Sequence, residues 1–99
     1  MILETLKKTG IPTRYSHFKN EQKPPYITYI GDGQDQIYAD DKGYYSKNKY
    51  QVEFYFKNKN EELESVIEKI LIDDGYTYEK SEDVFIESEG LFVIYYKVI

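Results

Sequence analysis

The residue types able to do chemistry are few and scattered. His17 is the only histidine, set in a polar segment beside Phe18. Neither serine-triad spacing nor HExxH nor another metal pattern accompanies it, so a structural or solvent-exposed imidazole is expected. Acid pairs stand at Asp40-Asp41, Asp73-Asp74 and Glu82-Asp83. Adjacent carboxylates on a strand point to opposite faces, and no EF-hand or glycosidase-like context surrounds these. A cation held by the turn at 40–43 is the one metal reading they allow. Gly31-Asp32-Gly33 lacks the spacing of a phosphate loop and any basic residue, and reads as turn punctuation. Asp73-Asp74 is more unusual. Two exposed acids in the last turn of a helix oppose its dipole by a few tenths to about 1 kcal/mol each. They are either a solvated helix end or a docking point for a lysine of a neighbouring chain.

The elements that must position these residues follow from composition and pattern. The chain has 99 residues, 40% hydrophobic and 31% charged, with six glycines and three prolines, which suits one folded domain over 1–99 with a single modest core. It has no cysteine, which excludes disulfides, thiolate nucleophiles and cysteine metal sites. The N-terminal residues have no apolar run of signal length and no stretch of about 18 apolar residues occurs, so secretion and membrane spanning are not expected.

Ile2, Leu3 and Leu6 predict a short helix over 2–9, stopped by Gly10 and Pro12. Tyr26-Ile27-Thr28-Tyr29-Ile30, after Pro24-Pro25, predicts a strand, and Ile37-Tyr38-Ala39 a brief extended piece. Region 31–49 is otherwise expected to be the mobile part. From Lys49 to Lys57, Tyr50, Val52, Phe54 and Phe56 alternate with polar residues, the clearest strand signal in the chain. Asn60 caps a helix whose Leu63, Val66, Ile67, Ile70 and Leu71 make an inward stripe, and Gly75 ends it. Residues 76–80 return as a strand, and 84–88 with 91–98 form a hairpin near Glu89-Gly90. Leu91 to Ile99 is apolar or aromatic at eight of nine positions, as in a strand covered on both faces, and this hints at a second subunit over the sheet. The expected fold is α+β, a small antiparallel sheet with one central amphipathic helix and a short N-terminal helix, in the order α-β-β-β-α-β-β-β.

In that order, Pro25-Tyr26-Ile27-Thr28-Tyr29, Tyr38-Ala39-Asp40-Asp41-Lys42, Tyr50-Gln51-Val52-Glu53-Phe54-Tyr55, Ile67-Glu68-Lys69-Ile70-Leu71, Gly75-Tyr76 and the closing aromatic strand resemble a known family. The chain, over roughly 20–99, is similar to the tail terminator or tail completion proteins of long-tailed bacteriophages and prophages of Gram-positive bacteria, also described as minor capsid or head–tail joining proteins. The resemblance implies a structural protein without catalysis and with no cofactor. Six subunits would form a ring on the last ring of the tail tube, halting polymerisation and offering the other face to head completion proteins. DNA would pass through the hole without specific binding. The protein would then act in the host cytoplasm during assembly and at the head–tail junction of the virion.

The charge pattern suits that expectation. Net charge is −5, divided as +3 over residues 1–30, zero over 31–60 and −8 over 61–99. Such polarity favours head-to-tail contacts, which close into a ring when the rotation allows. An acidic lumen would repel DNA, whose affinity for proteins comes largely from clustered Lys and Arg. Twelve tyrosines and no tryptophan suit surfaces dry on one side and wet on the other, although tyrosine is also simply a good strand former. The expected subunit or partner interface is Asp35, Tyr38, Asp40, Asp41, Tyr44, Tyr45, Asp73 and Asp74. Two other classes stay open: an acidic monomeric antagonist such as an immunity protein, and a small enzyme or cation binder using Asp40, Asp41 and His17.

Overall fold

A computed structural model describes residues 1–39 and 43–99, with side chains described outside 35–46. Its elements are α1 (Ile2–Lys7), β1 (Thr13–Tyr15), β2 (Tyr26–Ala39), β3 (Gly43–Phe56), α2 (Glu61–Asp73), β4 (Tyr78–Lys80), β5 (Val84–Ile86) and β6 (Leu91–Val98). The sheet runs β1-β2-β3-β6-β4, with β5 beside β4 on the same side of β6. The architecture is α+β, with both helices on one face.

The sheet is mixed, where an antiparallel one was expected. β1 pairs parallel to β2, Thr13 opposite Ile27 and Tyr15 opposite Tyr29, and every other pairing is antiparallel. Three residues in a polar segment carry no alternation of their own. β1 is a strand because β2 is there to pair with it: Ile27 N–H donates to Pro12 O and Ser16 N–H to Tyr29 O, each at 2.8 Å.

Region 31–49 departs further from expectation. β2 continues through the expected turn to Ala39, and β3 starts at Gly43, so their pairing reaches Ala39 opposite Gly43. Gly31-Asp32-Gly33 is a bulge within the strand. Between the pairs Gly31–Tyr50 and Gln34–Asn48, β2 spends one residue more than β3, and Gly33 takes φ 81°, which a side chain would disfavour. The sequence from Gly31 to Asn48 has no sustained apolar alternation, so it reads as turn and loop. Asp40 and Asp41 lie outside the described residues.

Ile27, Val52, Phe54, Ile94, Tyr96 and Val98 bury one sheet face against Ile67 and Leu71 of α2 and Ile2 and Leu6 of α1. Asn60 caps α2 as predicted, its Oδ1 accepting from Leu63 N–H at 3.0 Å, and Gly75 at φ 90° closes its end. The inward stripe is rotated from the expected one. Val66 is 40% exposed and Glu64 takes the inward place at 2%. Val93, on the far face of β6, is fully buried between its register neighbours Tyr55 and Val84.

Candidate functional site

The face opposite the helices carries the polar residues that strand alternation turns away from the core. Register places Arg14, Thr28, Glu53 and Tyr95 in one row across β1, β2, β3 and β6. Glu53 gathers that row. Its Oε1 accepts from Thr28 Oγ1 at 2.8 Å and Tyr55 OH at 3.0 Å, and its Oε2 accepts from Gln51 Nε2 at 2.9 Å. Burial, then the charge and hydrogen bond of Glu53, push the Tyr55 phenol well above its usual range. Tyr26 stacks on Tyr55 at 4.8 Å between centroids, and Phe18 meets Tyr26 edge-on at 5.2 Å. These rings floor an open cleft of about 690 Å³ between the segment after β1 and the turn before β6.

His17 lines this cleft, its Nδ1 3.2 Å from Ser16 Oγ. Ser16 is the one non-glycine residue with positive φ among those described, at 64°. No carboxylate is bonded to His17 among the described residues, so the pair lacks the third group that orients a base. Among the described residues, no cluster of three or more His, Asp or Glu converges on a metal position.

A second constellation lies where α2 meets the β4 edge. Lys80 Nζ stands 2.9 Å from Glu64 Oε1 and 2.7 Å from Glu68 Oε2, Lys59 Nζ stands 2.8 Å from Glu64 Oε2, and Tyr96 OH donates to Glu68 Oε2 at 2.8 Å. Burial alone would raise the Glu64 carboxyl, and the two ammonium groups more than offset it, holding it below the usual range. Desolvation likewise opposes the Lys80 charge, and the two glutamates lift it above the ordinary lysine value. This arrangement holds α2 to the sheet.

No protein-family model and no curated protein matches the chain.

Of the eight residues expected at an interface, six lie in the described backbone, on β2, on β3 and at the end of α2. Asp35 lies opposite Lys47, Tyr38 opposite Tyr44 and Tyr45 opposite Ile37 on the β2–β3 hairpin, while Asp40 and Asp41 are outside the described residues. Asp73 and Asp74 sit at the end of α2, and their charges are met within the chain. Lys69 pairs with Asp73 at 2.8 Å. Lys8 pairs with Asp74 at 2.8 Å, and Thr5 Oγ1 donates to it at 2.7 Å, tying α1 to α2. The lysine, then the threonine, hold the Asp74 carboxyl below its usual range. A groove of about 340 Å³ between Lys47, Tyr50, Gly75 and Tyr76 joins the root of the hairpin to the turn after α2.

Glu53 and Glu64 were missed by motif and spacing. Glu53 was legible only as a polar position on an alternating strand. Glu64 carried no signal, since its partners come from other elements.

Proposed function

We propose that this chain is a structural protein of a phage or prophage tail, which caps the tail tube as a ring, stops tube growth and presents the head–tail joining surface. The partners on this reading are other copies of the chain, six to a ring, the tail tube protein and a head completion protein. DNA passes through without specific binding, and the protein works in the host cytoplasm before it joins the virion. Its role is assembly, with no catalytic step.

The observation that carries the reading is the β2–β3 arm. Pairing of β3 with β6 stops at Tyr50, and pairing of β1 with β2 stops at Tyr29, yet β2 and β3 go on together to Ala39 and Gly43. The nine residues from Gly31 to Ala39 span about 30 Å at about 3.4 Å each. The molecule measures 51 × 24 × 23 Å. A two-stranded ribbon is marginal in water, and its outer edges are templates for another chain, so an arm of this length suits a molecule completed by neighbours.

The test is to shorten the arm. Replacing residues 33–48 by an Asn-Gly turn keeps the body's pairing up to Gly31 opposite Tyr50. The shortened chain is expected to keep its circular dichroism and to lose co-sedimentation with tail tubes. Undiminished tube binding would contradict the reading. A net charge of −5 favours the second reading, an acidic antagonist steered onto a basic protein, and that reading requires a monomer at every concentration.

A further inference from the structure

We infer that the two edges of the sheet dock on each other between copies of this chain, the β1 edge of one subunit lying antiparallel against the β4–β5 edge of the next. The inference rests on the ring reading and specifies its contact. Four observations lead to it.

The first is charge. The two ends of the sheet, β1 and β4, carry exposed charges of opposite sign, while Glu61, Glu62, Glu64, Glu68 and Asp73 of the acidic third lie on α2. Lys7, Arg14 and Lys19 belong to the segments at the β1 side, and Glu79, Glu82 and Glu87 to the β4–β5 side. All six are exposed, and none has an ion-pair partner among the described residues. By contrast Lys8, Lys59, Lys69 and Lys80 are all paired within the chain.

The second is strand direction. β1 is parallel to β2, β2 and β3 are antiparallel, as are β3 and β6, and so are β6 and the edge strands β4 and β5. The two edges therefore run in opposite senses. A second copy related by rotation, with its helices on the same side, meets β1 in the antiparallel sense, the pairing that is slightly more stable per residue.

The third is an exposed aromatic residue at each edge. Tyr15 on β1 is 63% exposed and Phe85 on β5 is 54% exposed. Tyr15 lies edge-on to Tyr29 and Phe85 tilts against Phe92, and both inner rings pack on the core, so the two outer rings sit on the helix side of the sheet. A continued sheet brings Tyr15 of one copy and Phe85 of the next to one side of the junction. On the other side, Arg14 shares the face of Thr28, and the antiparallel register that sets Tyr15 beside Phe85 sets Arg14 opposite Ile86 and next to Glu87. Aromatic residues thus meet aromatic residues, and base meets acid.

The fourth is that the contact is heterologous. The surfaces differ, so the second copy leaves one basic and one acidic edge open, and addition continues until the ring closes. Setting Tyr15 beside Phe85 also offsets the copies along the strands, the kind of stagger that closing a sheet requires. The edges are short, and Ser81-Glu82-Asp83 interrupts the acidic one, which restrains indiscriminate edge pairing.

Two charge-reversed variants test this. R14E with K19E makes both edges acidic, and E82K with E87K makes both basic. Neither pair touches the core or an internal ion pair. Each variant alone is expected to need roughly a hundredfold higher concentration than the native chain for half-assembly. An equimolar mixture is expected to regain the native assembly, because alternating subunits restore every contact in a ring of even number. A Y15C/F85C chain, treated with a short bis-maleimide at high concentration, is expected to give a ladder ending at the ring, while each single variant stops at the dimer. Native-like assembly by either charge variant alone would overturn the edge contact and leave the ring reading standing. A native chain that forms no assembly, with a double-cysteine chain that forms no ladder, would overturn both.

Discussion

Lys80 of β4 places its ammonium 2.9 Å from Glu64 and 2.7 Å from Glu68, two acids one turn apart on α2, and so joins the central helix to the edge of the sheet. Glu64 is 2% exposed, and a carboxylate so placed is tolerable only while its cations are present. Lys80→Met should therefore destabilise the fold by about 2–3 kcal/mol. That is below the 3–5 kcal/mol of a fully buried broken pair, because Lys80 is about a third exposed and Lys59 remains. Urea unfolding measures it. Glu64→Leu in the same background should recover part of the loss, since it removes the more deeply buried carboxylate, while Glu68 loses Lys80 but keeps the hydrogen bonds of Tyr78 and Tyr96.

The pH dependence has a definite sign at each end. Asp74 and Glu64 have depressed pKa values, so the stability they contribute is complete above their unfolded values near 4 and is lost as pH falls through the lower folded values. Lys80 has a raised pKa, so its contribution is complete below the unfolded value of about 10.4 and is lost as pH rises through the higher folded value. Urea midpoints should form a plateau at neutral pH and fall on both sides. Asp74→Asn, which keeps an acceptor for Thr5 but not the charge facing Lys8, should flatten the acid limb; an unchanged limb would assign it to other groups.

Much of the fold is legible where local signals and tertiary packing agree. Asn60 and Gly75 bracket α2, and the alternation Tyr50, Val52, Phe54, Phe56 marks the half of β3 that lies on the core. Legibility ends where the partner is remote in sequence. The stripe through Val66 was the better local guess, and Glu64 displaced it because Lys59 precedes the helix and Lys80 arrives from β4. Asp74 was visible as an odd acid at a helix end. Lys8, on α1, was not visible as its partner. The arm was hidden because strand reading looks for apolar alternation, and residues 31–48 carry no sustained one.

Gly33 lies in the bulge at the base of that arm. At φ 81°, with no atom of the described residues within 4 Å of where a Cβ would stand, the cost of Gly33→Ala is backbone strain of about 1–2 kcal/mol. The effect should stay local. Amide exchange should quicken at Gln34 to Ala39 while the amides of β6 keep their protection; equal loss in both would mean that the arm and the body unfold together.

The central claim is self-assembly into a ring, and light scattering after size exclusion, across protein concentration and at low and high salt, tests it most directly. A species near six times the 11.8 kDa chain mass is expected, dissociating as salt screens the contact between basic and acidic edges. A monomer at every concentration and salt, with no assembly on added tail tubes, would contradict it.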